Sequence, residues 1–144
     1  MSLTNDKAVK LAMEWLSIES NSHAELMKRI YESLNIDVGS PKCDKLVGEP
    51  WKTVENIMKD VDRGKIDLMQ ALTKLEFVEG FVGEEMYNRL MYPILKKLLP
   101  ELINKDASEL VEKLFSEVIS EEEHHNGIVK SLIRYEENKR KSPI

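Results

Sequence analysis

The sequence predicts an all-α protein, and more specifically a four-helix bundle with antiparallel, up-down-up-down helices. Apolar residues recur at helical spacing over four long stretches, and no segment alternates convincingly with the period of two that is typical of strands. Hydrophobic residues make up 42% of the 144 residues and charged residues 33%, a composition typical of a folded domain. We therefore expect a single domain over residues 1–144, which is long enough to bury a core.

The first helix is predicted at about residues 5–35. Thr4 to Asp6 supply residue types that cap helix N-termini. Residues 35–43, which contain a glycine, a serine and a proline, form the connection that follows. The expected inner face of this helix consists of Ala12, Trp15, Leu16, Leu26, Ile30 and Leu34.

The second helix is predicted at about residues 44–63. Pro50 suits its first turn, because the N–H that proline lacks has no partner there in any case. Gly64 suits the C-terminal cap. The expected inner face consists of Leu46, Val47, Val54, Ile57, Met58 and Val61.

The third helix is predicted at about residues 68–99, ending before Pro100. Asp67 and Gln70 have the spacing of a capping box, and Gly80, Gly83 and Pro93 are positions at which the helix is expected to bend. Its expected inner face consists of Leu68, Leu72, Leu75, Val82, Met86 and Leu90.

The fourth helix is predicted at about residues 107–139, with Asp106 and Glu109 as a second capping box. Three short connections between four long helices favour the up-down-up-down arrangement. The expected inner face of this helix includes Leu110, Leu114, Val118, Val129 and Leu132.

Charge and cysteine content exclude several classes of function. The net charge is −5 and the basic residues are scattered among acidic ones, which argues against a nucleic-acid partner. A single cysteine, Cys43, permits neither an intramolecular disulfide nor a Cys-x-x-Cys site. We find no secretory segment and no bilayer-spanning stretch, so we expect a cytoplasmic protein with no membrane partner.

Two pairs of glutamate and histidine interrupt the apolar faces. Glu122 and His125 lie near the centre of the inner arc of the fourth helix, and Glu19 and His23 lie at the centre of the arc of the first. Glu79 lies on the inner arc of the third helix. A buried charge is unfavourable unless it is paired, and a metal ion would provide such a partner.

Four further residues are weaker candidates for metal ligands, because they lie at the border of an apolar arc. They are Glu55, Glu76, Glu121 and His124. Carboxylates together with imidazoles suit iron, manganese or zinc better than a metal that prefers thiolates. The alternative is a metal-free bundle in which the inward polar groups bind one another by hydrogen bonds.

These residues resemble the metal site of the ferritin-like superfamily, which includes rubrerythrin and the di-iron carboxylate bundles. In that family two helices each supply a glutamate and two others each supply Glu-x-x-His. The matching positions are Glu19, Glu79 and the pair Glu122 and His125, while the second-helix position with Glu55 lacks the histidine. His23 is an additional histidine that stands outside the pattern of the family.

The resemblance implies a site for two irons that react with oxygen or peroxide, while the missing second-helix histidine and the additional His23 also permit a mononuclear or non-redox site. A protein with the redox-active site would be an oxidoreductase. A different hypothesis is an interaction module that forms a homodimer through an outward apolar strip of Phe77, Met91 and Leu95. A histidine-rich metal site is the weakest hypothesis, because the chain has only 3 histidines and adjacent helical residues such as His124 and His125 diverge.

Overall fold

A computed structural model describes residues 3–35, 48–82, 88, 89 and 91–141. This part of the chain is helical and contains no strand, so the predicted all-α class is confirmed. It forms five helices rather than four. They are α1 (Lys7–Ser33), α2 (Glu49–Asp62), α3 (Leu68–Gly80), α4 (Tyr92–Leu102) and α5 (Lys105–Lys141).

The start of α1 is as the sequence predicts. The carboxylate of Asp6 accepts hydrogen bonds from the backbone N–H groups of Ala8 and Val9, at 2.8 and 3.2 Å. These are two of the donors that a helix N-terminus leaves without intrahelical partners.

The second predicted helix begins later than expected. Gly48 is the N-cap of α2 with φ 73°, so the helix begins at Glu49 rather than near residue 44, and Pro50 lies in its first turn. The inner-face residues Leu46 and Val47 lie outside the described residues, as does Cys43.

The turn between α2 and α3 confirms both caps that were predicted for it. Gly64 has φ 64°, a left-handed conformation that glycine adopts without strain. The Lys65 N–H then reaches the carbonyl of Asp60 at 2.8 Å, which closes the end of α2. Asp67 and Gln70 form the complete capping box at the start of α3.

The third predicted helix is not a continuous α-helix, although the described residues between its two α-helical parts remain helical. α3 ends at Gly80 and α4 begins at Tyr92, while residues 81, 82, 88, 89 and 91 have π-helical backbone. Pro93 lies in the first turn of α4, directly after residues whose backbone is already helical. The expected end before Pro100 is also wrong, because α4 includes Pro100 and continues to Leu102. Met86 and Leu90 lie outside the described residues.

The predicted capping box of the last helix is wrong. The side chain of Asn104 accepts a hydrogen bond from the Ala107 N–H at 2.9 Å, and its carbonyl accepts one from the Ser108 N–H at 2.9 Å. Asn104 therefore caps α5, which starts two residues before the predicted position.

The buried face of α5 follows a period of 3.5 residues rather than 3.6. The positions that keep this spacing are Ser108, Phe115, Val118, Glu122, His125, Val129, Leu132 and Glu136. A line of side chains with this spacing, here called the heptad seam, rotates around a regular α-helix by about 20° per heptad. Phe115 thus takes the inward place expected for Leu114, while Leu110 and Leu114 are 61% and 43% exposed.

The core consists of two apolar clusters. In the first, Val9 and Leu16 of α1 pack with Leu72 of α3 and with Val129 and Leu132 of α5. The second contains Met27, Ile30, Leu95, Leu99 and Phe115. Early residues of α1 therefore meet late residues of α5, which makes these two helices antiparallel.

Two expectations about apolar side chains need correction. Leu95 is buried in the second cluster and Met91 packs against it, so they do not form an outward strip with the exposed Phe77. Trp15 and Met58, both expected on inner faces, are 40% and 63% exposed. α5 contacts α1, α3 and α4, while α2 contacts α3. No described helix has an apolar stretch that would cross a membrane.

Candidate metal centre

A layer of polar side chains separates the two apolar clusters. α1 contributes His23, α3 contributes Glu79, and α5 contributes Glu122 and His125. His23, Glu122 and His125 are buried, as the helical period predicted, and Glu79 is half-buried. The heptad seam places Glu122 and His125 where a coiled coil would carry apolar side chains.

His23 is held between two neighbouring carboxylates of α5. Its Nδ1 lies 2.5 Å from Oε1 of Glu122, and its Nε2 contacts Oε2 of Glu121. Because carboxylates only accept hydrogen bonds, both contacts are made when the imidazole is protonated at both nitrogens. This pairing compensates the buried charge of Glu122.

His125 is fully buried, and neither of its ring nitrogens has a hydrogen-bond partner among the described residues. Its Nδ1 lies 3.6 Å from Oε2 of Glu122 and 3.8 Å from Oε2 of Glu79, beyond hydrogen-bonding distance. The ring stacks on His23, with centroids 5.1 Å apart, and the ring of Trp15 meets it edge-on at 5.5 Å. The rings of His23 and Trp15 therefore fix the orientation of the His125 imidazole, although they give it no hydrogen bond.

The layer shifts three pKa values. Burial lowers the pKa of His23, but its hydrogen bonds with Glu121 and Glu122 outweigh burial and raise that pKa above its ordinary value. Burial and the nearby charge of Glu122 raise the pKa of Glu79 to about 7. Burial also lowers the pKa of His125. A neutral His125 retains a lone pair, which is what a metal ligand requires.

Two overlapping groups of side chains could each hold a metal ion. Glu79, Glu122 and His125 form one group, and Glu19, His23 and His125 form the other; within each group the candidate ligand atoms lie within 4.8 Å of one another. Zinc–ligand bonds of about 2.0–2.2 Å place the ligands of one ion up to about 4 Å apart. Small side-chain movements would therefore close the first group around an ion, while the second group also requires His23 to give up a proton and one of its carboxylate contacts.

The structure places the four weaker candidate ligands in different surroundings. Glu121 contacts His23, although it belongs to neither group. His124 is exposed, and Glu76 is half-buried and belongs to neither group. Glu55 of α2 is exposed and accepts a hydrogen bond from the Trp51 indole at 3.1 Å. The donors that come together thus belong to α1, α3 and α5.

The sequence did not predict two features of this layer. It ranked Glu121 low, because its distance from the centre of the apolar arc gives no sign that His23 reaches it. It placed Trp15 among ordinary core residues, although the indole contacts His125. The one available signal was position, since Trp15 lies two turns before His23 on the same helix.

Comparison with known proteins finds no match for this chain among protein-family models, curated proteins or solved structures.

Proposed function

We propose that this protein binds a divalent metal ion between α1, α3 and α5, with His125 as the central ligand. The single observation that carries the proposal is that His125 is fully buried, with both ring nitrogens unpaired within the described part of the chain. A buried polar atom without a partner costs about 1–3 kcal/mol, so native proteins rarely retain one, and a bound ion is one of the partners that remove this cost.

The charges around His125 support a cation rather than another ligand. Glu122 and Glu79 approach its Nδ1, and Glu19 belongs to the second possible group. Carboxylate oxygens and imidazole nitrogens together suit iron, manganese or zinc. The two groups share His125, so this donor set fits one ion at a time; two adjacent ions would require the ring to lose its remaining N–H proton and bind through both nitrogens.

We also propose that the arrangement is that of a ferritin-like bundle, with α3 and α4 together in the third helical position. Its functional signature is Glu122 and His125, three residues apart on α5. Bound iron would supply redox chemistry toward oxygen or peroxide, as an oxidoreductase requires. The residues of the chain would bind and orient the ion, while Trp15 and the apolar clusters limit access of water.

The test is metal content after incubation with Fe²⁺ under anaerobic conditions and, separately, with Mn²⁺ or Zn²⁺. We expect about one equivalent in the wild-type protein and almost none in the double variant His125→Ala, Glu122→Ala. His124→Ala is the matched control, because His124 is the adjacent residue of the same type but is exposed. Elemental analysis of untagged protein after desalting gives the readout.

Loss of metal from His124→Ala to the same extent would show that binding occurs at the surface. A wild-type protein that retains none of the three ions would contradict the proposal. Without a bound metal there would be no reason to assay the protein for reaction with oxygen or peroxide.

The second candidate function is an interaction module that forms a homodimer, and one observation favours it. Leu11, Trp15 and Ile18 are exposed along one line of α1, a surface that a second copy of the chain could cover. Sedimentation equilibrium of the same preparation separates the two candidates. A stable dimer without bound metal would support the interaction module.

A further inference from the structure

A metal ion must cross the protein surface to reach the candidate centre. His125 is fully buried, and Glu122 and His23 are almost fully buried. A buried site therefore needs a path by which the ion enters, and that path should carry donor atoms that replace the water around the ion.

Glu121 is the exposed member of the polar layer. Its side chain is 48% exposed, yet it contacts Nε2 of the buried His23. Nδ1 of the same ring contacts Glu122, whose other carboxylate oxygen lies 3.6 Å from His125. The His23 ring thus connects a carboxylate at the surface, Glu121, with a carboxylate in the centre of the layer, Glu122.

A surface groove beside the layer suits the entry of a cation less well. A cavity of about 490 Å³ is lined by Glu76, Gly80, Asn126 and Lys130, among others. The ammonium group of Lys130 opposes the approach of a cation there. On the Glu121 side, Glu117 precedes Glu121 by four residues and so lies on the same face of α5. Two carboxylates on one face attract cations from solvent.

We propose that Glu121 and His23 form the uptake route for the metal ion, with Glu121 as the first protein ligand and the His23 ring as a gate. This inference rests on the proposed metal-binding function. The arriving ion replaces the His23 ring as the partner of Glu121 and then as the partner of Glu122. Glu121 therefore affects how fast the ion binds, and it affects the final occupancy little.

The experiment measures the rate of Co²⁺ binding by stopped-flow fluorescence. The chain has 2 tryptophans, so a Trp51→Phe background leaves Trp15 as the single reporter, in edge contact with His125. Co²⁺ bound beside His125 should quench Trp15. Equilibrium titrations of the same samples give the affinity and the number of ions bound.

In this background we compare Glu121→Gln with Glu123→Gln. Both variants remove one negative charge from an exposed position of α5, and the amide introduced in place of Glu121 still offers an oxygen to His23. We expect Glu121→Gln to slow Co²⁺ binding about tenfold. A change of this size lies within the range by which charges lining a cleft alter association rates. We expect Glu123→Gln to stay within about twofold of the parent, because salt screens the charge at a distance.

Equal rates for the two variants would overturn the route. An equilibrium affinity that falls as much as the rate would also overturn it, because Glu121 would then be a ligand of the final site. Failure of the proposed function gives a different result, since the parent protein would bind no Co²⁺ at equilibrium.

Discussion

His125 combines full burial with two ring nitrogens for which the described residues supply no hydrogen-bond partner, and these properties oppose each other in the stability of the metal-free protein. The stacked ring of His23 and the edge of Trp15 supply van der Waals contact but no hydrogen bond to these nitrogens. When a residue is selected because it binds a ligand rather than because it stabilises the fold, the ligand-free protein is expected to be less stable.

Replacing His125 by leucine should therefore stabilise the protein when a chelator is present. We expect His125→Leu to raise the free energy of unfolding by about 1–2 kcal/mol, because it removes two unpaired polar atoms and keeps most of the packing. Urea denaturation measures the change. His124→Leu, at the exposed neighbouring position, should leave the stability almost unchanged; a marked loss of stability in His125→Leu would contradict this account.

α5 departs from the sequence prediction in its N-terminal cap and in its buried face. It starts under an asparagine cap rather than a capping box, and it contacts α1, α3 and α4. Its buried residues follow the 3.5-residue seam over most of its 37 residues. A helical wheel with a fixed 100° step misses this drift, which explains why Leu110 and Leu114 were assigned to the core.

The cap of α5 can be tested by comparing two alanine variants. Asn104→Ala should lower the free energy of unfolding by about 1 kcal/mol, because the Ala107 N–H loses its side-chain acceptor. Glu109→Ala removes the glutamate of the capping box that the sequence predicted, and it should change stability by less than about 0.5 kcal/mol. A larger loss of stability in Glu109→Ala than in Asn104→Ala, measured by thermal or urea unfolding, would instead support the predicted capping box.

At the level of the whole molecule, a polar cluster joins the beginning of α1 to the end of α5. The carboxylate of Asp6 accepts hydrogen bonds from the Lys139 ammonium at 2.8 Å and from the Tyr135 hydroxyl at 2.9 Å. The hydrogen bond from Lys139 contributes most to lowering the pKa of Asp6 below its ordinary value, followed by that from Tyr135. The same carboxylate caps α1, so one side chain links a local and a tertiary interaction.

This cluster predicts acid sensitivity. A carboxyl group whose pKa is lower in the folded protein contributes stability above its unfolded pKa of about 3.9 and loses that contribution as the pH falls below it. The melting temperature of the wild-type protein should therefore decrease between about pH 5 and pH 2 more steeply than that of Asp6→Asn. Parallel curves for the two proteins would show that Asp6 does not contribute.

Much of the fold could be predicted because it depends on interactions close in sequence. The caps at Asp6 and at Asp67 with Gln70 involve residues within one helical turn, so their spacing was sufficient. The π-helical backbone within the third predicted helix was not predicted, although Gly80, Gly83 and Pro93 were expected to bend that helix. Glycine and proline mark positions where a helix can deviate, and the packing around them decides the form of the deviation.

The sequence by itself determined that the protein is helical and that Glu122, His125 and His23 face the core, because the period of a helix decides which side chains share a face. The tertiary structure alone decided that His23 contacts both Glu121 and Glu122, that Trp15 covers His125, and that Glu55 lies away from the polar layer. These contacts depend on the rotation and register of one helix against another. Packing across the entire core sets both quantities, and no single stretch of sequence specifies them.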